Sequence, residues 1–235
     1  MKPKGFLVPF IFLCGCSGPK EAALTPSEML ERVESSLLSA KTLSFRYERR
    51  MRDYSTRDKV EATDWETGAV VLVGPHQGRI DVTDRKTQDS MYLLSDGARA
   101  VAMHGGIVRM EYENIVVQEW REKWIRTLFR NGFTGGKPGE HIPLKEATGT
   151  VSNVRATPVV VNGRSQILLE YIYENRDGYS PFRNRLWIDA ASYLPEKLMI
   201  ESSVDGDEFT STLTYDSIRL DEPVDQSRLT LPRSK

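Results

Sequence analysis

From Leu43 onward the apolar residues of this 235-residue chain recur at every second position, in short runs parted by turn sequences. Leu43, Phe45, Tyr47 and Met51 alternate with Ser44, Arg46, Glu48, Arg50 and Arg52, the pattern of a strand with one buried face. Trp65 to Val73 is the next strand, and its run Ala69-Val70-Val71-Leu72-Val73 is apolar on both faces, so each side calls for a cover. Arg79 to Val82, Met91 to Leu94, Ala98 to Met103 and Ile107 to Tyr112 follow, then strands near 150–161, 165–174, 184–189, 196–204 and 208–219. The separators are turn sequences: Gly74-Pro75-His76-Gln77-Gly78, Ser95-Asp96-Gly97, His104-Gly105-Gly106, Asn162-Gly163, Ser192-Tyr193-Leu194-Pro195 and Asp205-Gly206. Links this short join antiparallel neighbours, so the first six strands predict a meander. Residues 53–64 read as a polar loop, and the tail from Asp221 to Pro232 as extended chain. The fold class is mainly β with helices, an α+β chain built on an antiparallel sheet.

Two stretches carry the helical period instead. Thr25 is an N-cap, Pro26 takes the first helical position and Glu28 completes a capping box, with Leu24 and Met29 placed as a hydrophobic staple. Met29, Leu30, Val33, Leu37 and Ala40 then predict an amphipathic helix over 26–41. Over 114–131, Val116, Val117, Trp120, Trp124, Ile125, Leu128 and Phe129 fall at helical spacing with charged residues opposite, and Gly132 is placed to end the helix. Residues 134–149 form a long Gly- and Pro-containing loop.

The first sixteen residues, MKPKGFLVPFIFLCGC, set a destination. Lys2 and Lys4 precede an apolar run of about nine residues, too short for a spanning helix, which needs roughly 20. That layout is a secretory leader. Leu13-Cys14-Gly15-Cys16 resembles a bacterial lipobox, with Cys16 as the acylated first residue of the mature protein. Residues 1–15 are thus read as a signal peptide, 16–24 as a tether and 25–235 as a single domain. The only cysteines are Cys14 and Cys16, so the domain has neither disulfide nor thiol chemistry. With 32 basic and 33 acidic residues there is no basic surplus for nucleic acid.

No catalytic pattern stands out: Asp and Glu are scattered along the chain, and nothing singles out a carboxylate pair of the glycosidase kind. His76, His104 and His141 fall in turns or loops at no metal-ligand spacing, and Ser180 has no G-x-S-x-G around it. Gly135-Gly136-Lys137-Pro138-Gly139 lacks the spacing and the hydroxyl of a phosphate loop. Asp205-Gly206-Asp207 lacks the further ligands of a calcium loop. The expectation is a protein that is not an enzyme and uses no cofactor or metal. A helix over the hollow of a curved sheet either fills it or leaves a cavity for an apolar ligand, and periodicity does not choose between them.

In order and spacing, the motifs are similar to those of the LolA/LolB superfamily of periplasmic lipoprotein carriers and receptors, whose relatives include RseB-type stress sensors. The matching features are the opening helix leading into Leu43-Ser44-Phe45-Arg46-Tyr47, then Gly68-Ala69-Val70-Val71-Leu72-Val73-Gly74-Pro75 with Arg79, and Leu93-Leu94-Ser95-Asp96-Gly97. Leu186-Trp187-Ile188-Asp189 with Leu194-Pro195 closes the series. The resemblance covers about residues 25–232. It implies a curved antiparallel sheet forming an incomplete β-barrel, capped by helices, with an apolar cavity for lipid or lipoprotein acyl chains. Phe45, Tyr47, Val71, Leu93 and Met103 are the candidate cavity residues, and Trp120, Trp124 and Leu128 the candidate lid. Before Pro75 the LolA carrier has an arginine where this chain has Gly74. The expected setting is the bacterial envelope, with an N-terminal lipid anchor on the outer membrane facing the periplasm. The expected partners are a lipid or acylated lipoprotein, with another envelope protein as the partner if the chain is an RseB-like sensor.

Overall fold

A computed structural model describes residues 23–55, 57–113, 125, 150–174, 181–204 and 206–231. The leader, Cys16, Trp120, Trp124 and Leu128 lie outside them, and with them the lipidation and lid expectations.

The helix α1, Pro26–Ser39, starts as the sequence predicts. Thr25 Oγ1 accepts from the backbone NH of Glu28 at 3.3 Å, and the Glu28 carboxylate accepts from the Thr25 backbone NH at 2.7 Å. The Thr25 backbone NH, and after it the Thr25 hydroxyl at 2.8 Å, donate to the Glu28 carboxylate and hold it below its usual pKa. Leu30, Val33 and Leu37 face the sheet and are buried, each stabilising the fold by roughly 1.5–3 kcal/mol.

Eleven strands follow: β1 (Thr42–Ser55), β2 (Val60–Val73), β3 (Gln77–Asp84), β4 (Ser90–Asp96), β5 (Arg99–His104), β6 (Ile107–Glu113), β7 (Thr150–Val161), β8 (Arg164–Glu174), β9 (Phe182–Asp189), β10 (Pro195–Val204) and β11 (Asp207–Leu220). They form one sheet in the order β6-β5-β4-β3-β2-β1-β11-β10-β9-β8-β7. Two meanders, β1–β6 and β7–β11, are joined where β1 pairs antiparallel with β11. β6 and β7 are the two ends of the strand order, so the sheet is open.

The face carrying α1 is the inner face. Its core runs unbroken from Ile80 of β3 through Leu43, Phe45 and Tyr47 of β1 to Leu169 and Tyr171 of β8, and includes Ile125. Two bulges keep apolar residues on this side. In β11, Ser217 takes a positive φ of 57° where the β1 register shifts, so Leu213 and Tyr215 before it and Ile218 and Leu220 after it all pack inward. In β7, Asn153 (φ 54°) does the same for Val151 and Val154.

Three expectations need correction. The loop expected over 53–64 gives way to paired strand at 53–55 and 60–64: β1 and β2 pair as far as Ser55 and Val60. A ribbon this exposed needs no apolar alternation, and charge pairs such as Arg52–Glu61, at 2.9 Å, take its place. The tail is not simply extended. A short 3-10 turn, Gln226–Leu229, is capped by Asp225 and leads Leu229 and Leu231 into a second apolar cluster on the outer face. That cluster contains Val71, Leu94, Val101 and Met103, so the doubly apolar run 69–73 is covered by α1's core on one side and by the tail on the other. Finally, α1 is the one complete helix on the inner face among the described residues, where capping by several helices was expected; residue 125 is helical.

Candidate functional site

Strand parity decides which side chains share a surface. On β1 the odd residues Leu43, Phe45, Tyr47 and Arg49 point inward and are buried. Directly across on β2 stand Leu72, Val70, Gly68 and Glu66, then on β3 Gly78, Ile80, Val82 and Asp84. Across β11 the inner line is Tyr215, Leu213 and Ser211. The inner wall therefore changes character along β1, from aliphatic beside α1, through tyrosine, to charge toward the β1–β2 tip.

Five residues were expected to share one lining, and the parity separates them. Phe45 and Tyr47 are in the inner core, and Leu93 packs against it, opposite Ile80. Val71 and Met103 belong to the outer cluster under the tail. The reason is the pleat: Val71 follows Val70, and successive side chains leave opposite faces. Met103 sits with Tyr92 and Leu94 on that same outer side, and the Tyr92 hydroxyl donates to its sulfur.

The inner wall has an aromatic centre. Phe45 lies 6.4 Å from Tyr47 and 6.2 Å, edge-on, from Tyr215. Burial raises the pKa of Tyr47 well above the phenol range, and the Glu66 charge adds to it. Burial likewise raises Tyr215, with Tyr171 and Tyr47 nearby. Beside this centre Arg49 and Glu66 pair at 2.8 Å with side chains 7% and 19% exposed, and Tyr47 Oη donates to Glu66 at 3.3 Å. An ion pair this enclosed, in an aliphatic and aromatic setting, is the most polar feature of the described wall. Sequence reading passed over Arg49, although its odd position on β1 was the signal. Ser211 was missed in the same way, two residues before Leu213 and four before Tyr215.

The motif residues are turn builders. Ser95 Oγ donates to the His76 carbonyl at 3.0 Å and accepts from Gly97 NH at 3.2 Å. Asp96 accepts from the NH groups of Ala98 and Arg99 at 2.9 Å each, and these bonds hold its carboxyl low, Arg99 contributing most. Asp189 accepts from Ser192 and Ala191 in the same way. Gly74 has φ 55° and donates to the Lys41 carbonyl at 2.7 Å. That conformation favours glycine and is the local reason an arginine is not tolerated there without strain.

Among the described residues no three His, Cys, Asp or Glu side chains converge as a metal site requires, and no helix is long and apolar enough to cross a membrane.

No family model matches the sequence, and no curated protein matches it. Among solved structures the chain is similar to a LolA superfamily protein from Nitrosomonas europaea, at 13% identity over 89% of this chain and 99% of that one, with a TM-score of 0.36. It is also similar to a putative outer membrane lipoprotein-sorting protein domain from Vibrio parahaemolyticus, at 11% identity over 87% and 97% of the two chains, with a TM-score of 0.35. A third is a DUF1329 family protein from Desulfovibrio piger, at 10% identity over 87% and 95%, with a TM-score of 0.32.

Proposed function

We propose that this chain is a non-catalytic envelope protein that binds the acyl chains of a lipid or lipoprotein on the inner face of its sheet. The observation that carries the reading is the continuity of the apolar inner wall, which spans both meanders from Ile80 to Leu169. Phe45, Tyr47 and Leu93 are its central residues. Each methylene moved from water to such a wall contributes about 0.8 kcal/mol, so a long chain binds without any cofactor. The leader and Cys16 fit a protein held to the outer membrane by its own lipid and facing the periplasm, receiving or passing on an acylated ligand.

The test is native mass spectrometry of the chain from residue 20, which holds every described element, purified from bacterial cells, with extraction of what co-purifies. A stoichiometric phospholipid or acylated peptide is expected. A clean apo mass, unchanged after incubation with phospholipid and an acylated peptide, overturns the reading in favour of a sensor or scaffold that contacts another envelope protein.

A further inference from the structure

Beyond its apolar track, toward the β1–β2 tip, the inner wall carries two polar neighbours. Ser211 on β11 faces inward, opposite Met51 of β1 and Ile200 of β10. It is fully buried, and its Oγ has no hydrogen-bond partner. Its diagonal neighbour on β1 is Arg49, which stands opposite Leu213 and holds Glu66 at 2.8 Å; diagonal cross-strand neighbours are within about 7–8 Å. On the other side, across Ile200, the same row continues to the buried Asn184 of β9. Toward α1 the wall turns to Tyr47, Phe45 and Leu43.

A buried hydroxyl without a partner lowers stability. Alanine fills nearly the same volume at no such cost. The protein leaves this hydroxyl as one unmet hydrogen-bond donor at the end of an apolar track. The Arg49 charge is already met by Glu66, so the place does not suit a second anion, whereas a neutral carbonyl adds no charge.

We propose that Ser211 Oγ donates to the ester or amide carbonyl that heads an acyl chain, with the hydrocarbon running from there over Tyr47, Phe45 and Leu43 toward α1. The proposal rests on the acyl-binding reading above and names the part of the ligand that this wall recognises. It commits to an acyl ester or amide in place of a free fatty acid or a bare hydrocarbon.

The experiment compares two probes on the full chain kept soluble in amphipol: 1-palmitoylglycerol, which has the carbonyl, and 1-O-hexadecylglycerol, which lacks it. One net hydrogen bond corresponds to about a 2- to 10-fold difference in Kd. The expected result is a preference of that size for the ester in the natural sequence, falling to about one in Ser211→Ala with ether affinity and melting temperature not reduced. A preference that survives in Ser211→Ala overturns the assignment. Equal binding of both probes by the natural sequence also overturns it and leaves the acyl-binding reading standing. Binding of neither probe overturns both.

Discussion

Gly68 lies flat beneath the ring of Tyr47. The two face each other across β1 and β2, and a Cβ added at Gly68 would come within 2.2 to 2.6 Å of Cε1, Cζ and Oη of that ring. Real carbon contacts do not occur at such distances, so the ring or the strand has to move. Gly68→Ala is expected to lose about 1–3 kcal/mol, the range for overpacking a filled core. Urea unfolding measures it. Adding Tyr47→Ala removes the clash, so the double variant should lose clearly less than the sum of the singles. Additive losses would mean the ring is not the obstacle.

The Arg49–Glu66 pair invites a different pair of substitutions. With side chains 7% and 19% exposed, it is shielded enough that removing one partner matters. Glu66→Ala takes away the 2.8 Å partner of Arg49 and also the acceptor of the Tyr47 hydroxyl. A loss of about 3 kcal/mol is expected. Replacing both, Arg49→Met with Glu66→Leu, removes the desolvated charges together and should restore most of that loss. A double variant no more stable than Glu66→Ala would show that the charges themselves, and not their mutual dependence, hold the strands.

Much of this molecule was legible in its sequence, for reasons that differ from place to place. Thr25 and Glu28 announce the helix because a capping box is local chemistry. The late strands are read almost to the residue because Asn162-Gly163 and the Asp189 to Pro195 turn fix where each hairpin folds. The faces were harder. Val71 and Met103 are apolar like Phe45, and nothing local says that Leu229 and Leu231 return from the far end of the chain to cover them. The ribbon 53–64 was misread because strand pairing there is sustained by charge pairs that look like loop composition. Arg49 and Ser211 were hidden by residue type, since a polar side chain on an inward position looks like a break in the pattern.

Alkaline pH should expose the buried tyrosines. Both Tyr47 and Tyr215 have their pKa raised in the fold, chiefly by burial, against about 10 in an unfolded chain. The folded protein keeps protons that the unfolded chain releases. Stability is therefore unaffected by these groups below about pH 10 and falls as pH rises beyond it. Each tyrosine contributes a slope of up to about 1.4 kcal/mol per pH unit. Urea midpoints between pH 8 and 11, read beside phenolate absorbance, should show unfolding and tyrosine ionisation together above pH 10. Tyr215→Phe should make the decline shallower. Phenolate signals for all tyrosines appearing while the fold persists would contradict their burial.

The tail is held where it leaves β11 and again at Leu229 and Leu231, which makes its removal informative. Asp221, at φ 58°, accepts from Lys41 NH at 2.6 Å, and its own NH donates to the Thr42 carbonyl at 2.9 Å. Thr42 Oγ1 donates to the Glu222 carbonyl at 2.7 Å. These bonds pin the exit of β11 to the corner between α1 and β1, and the chain then crosses to the outer face, where Leu229 and Leu231 cover Val71, Leu94, Val101 and Met103. Ending the chain after Pro223 keeps the pinned corner and strips that cover. Leu229→Ala alone should lose about 2–5 kcal/mol as a buried leucine truncation. The shortened chain should bind a hydrophobic dye and exchange amide hydrogens faster in β4 and β5. The inner core does not depend on the tail, so protection in β9 and β10 should change little. Uniform loss of protection across all strands would mean that the tail holds the whole sheet together and does more than cover one apolar patch on it.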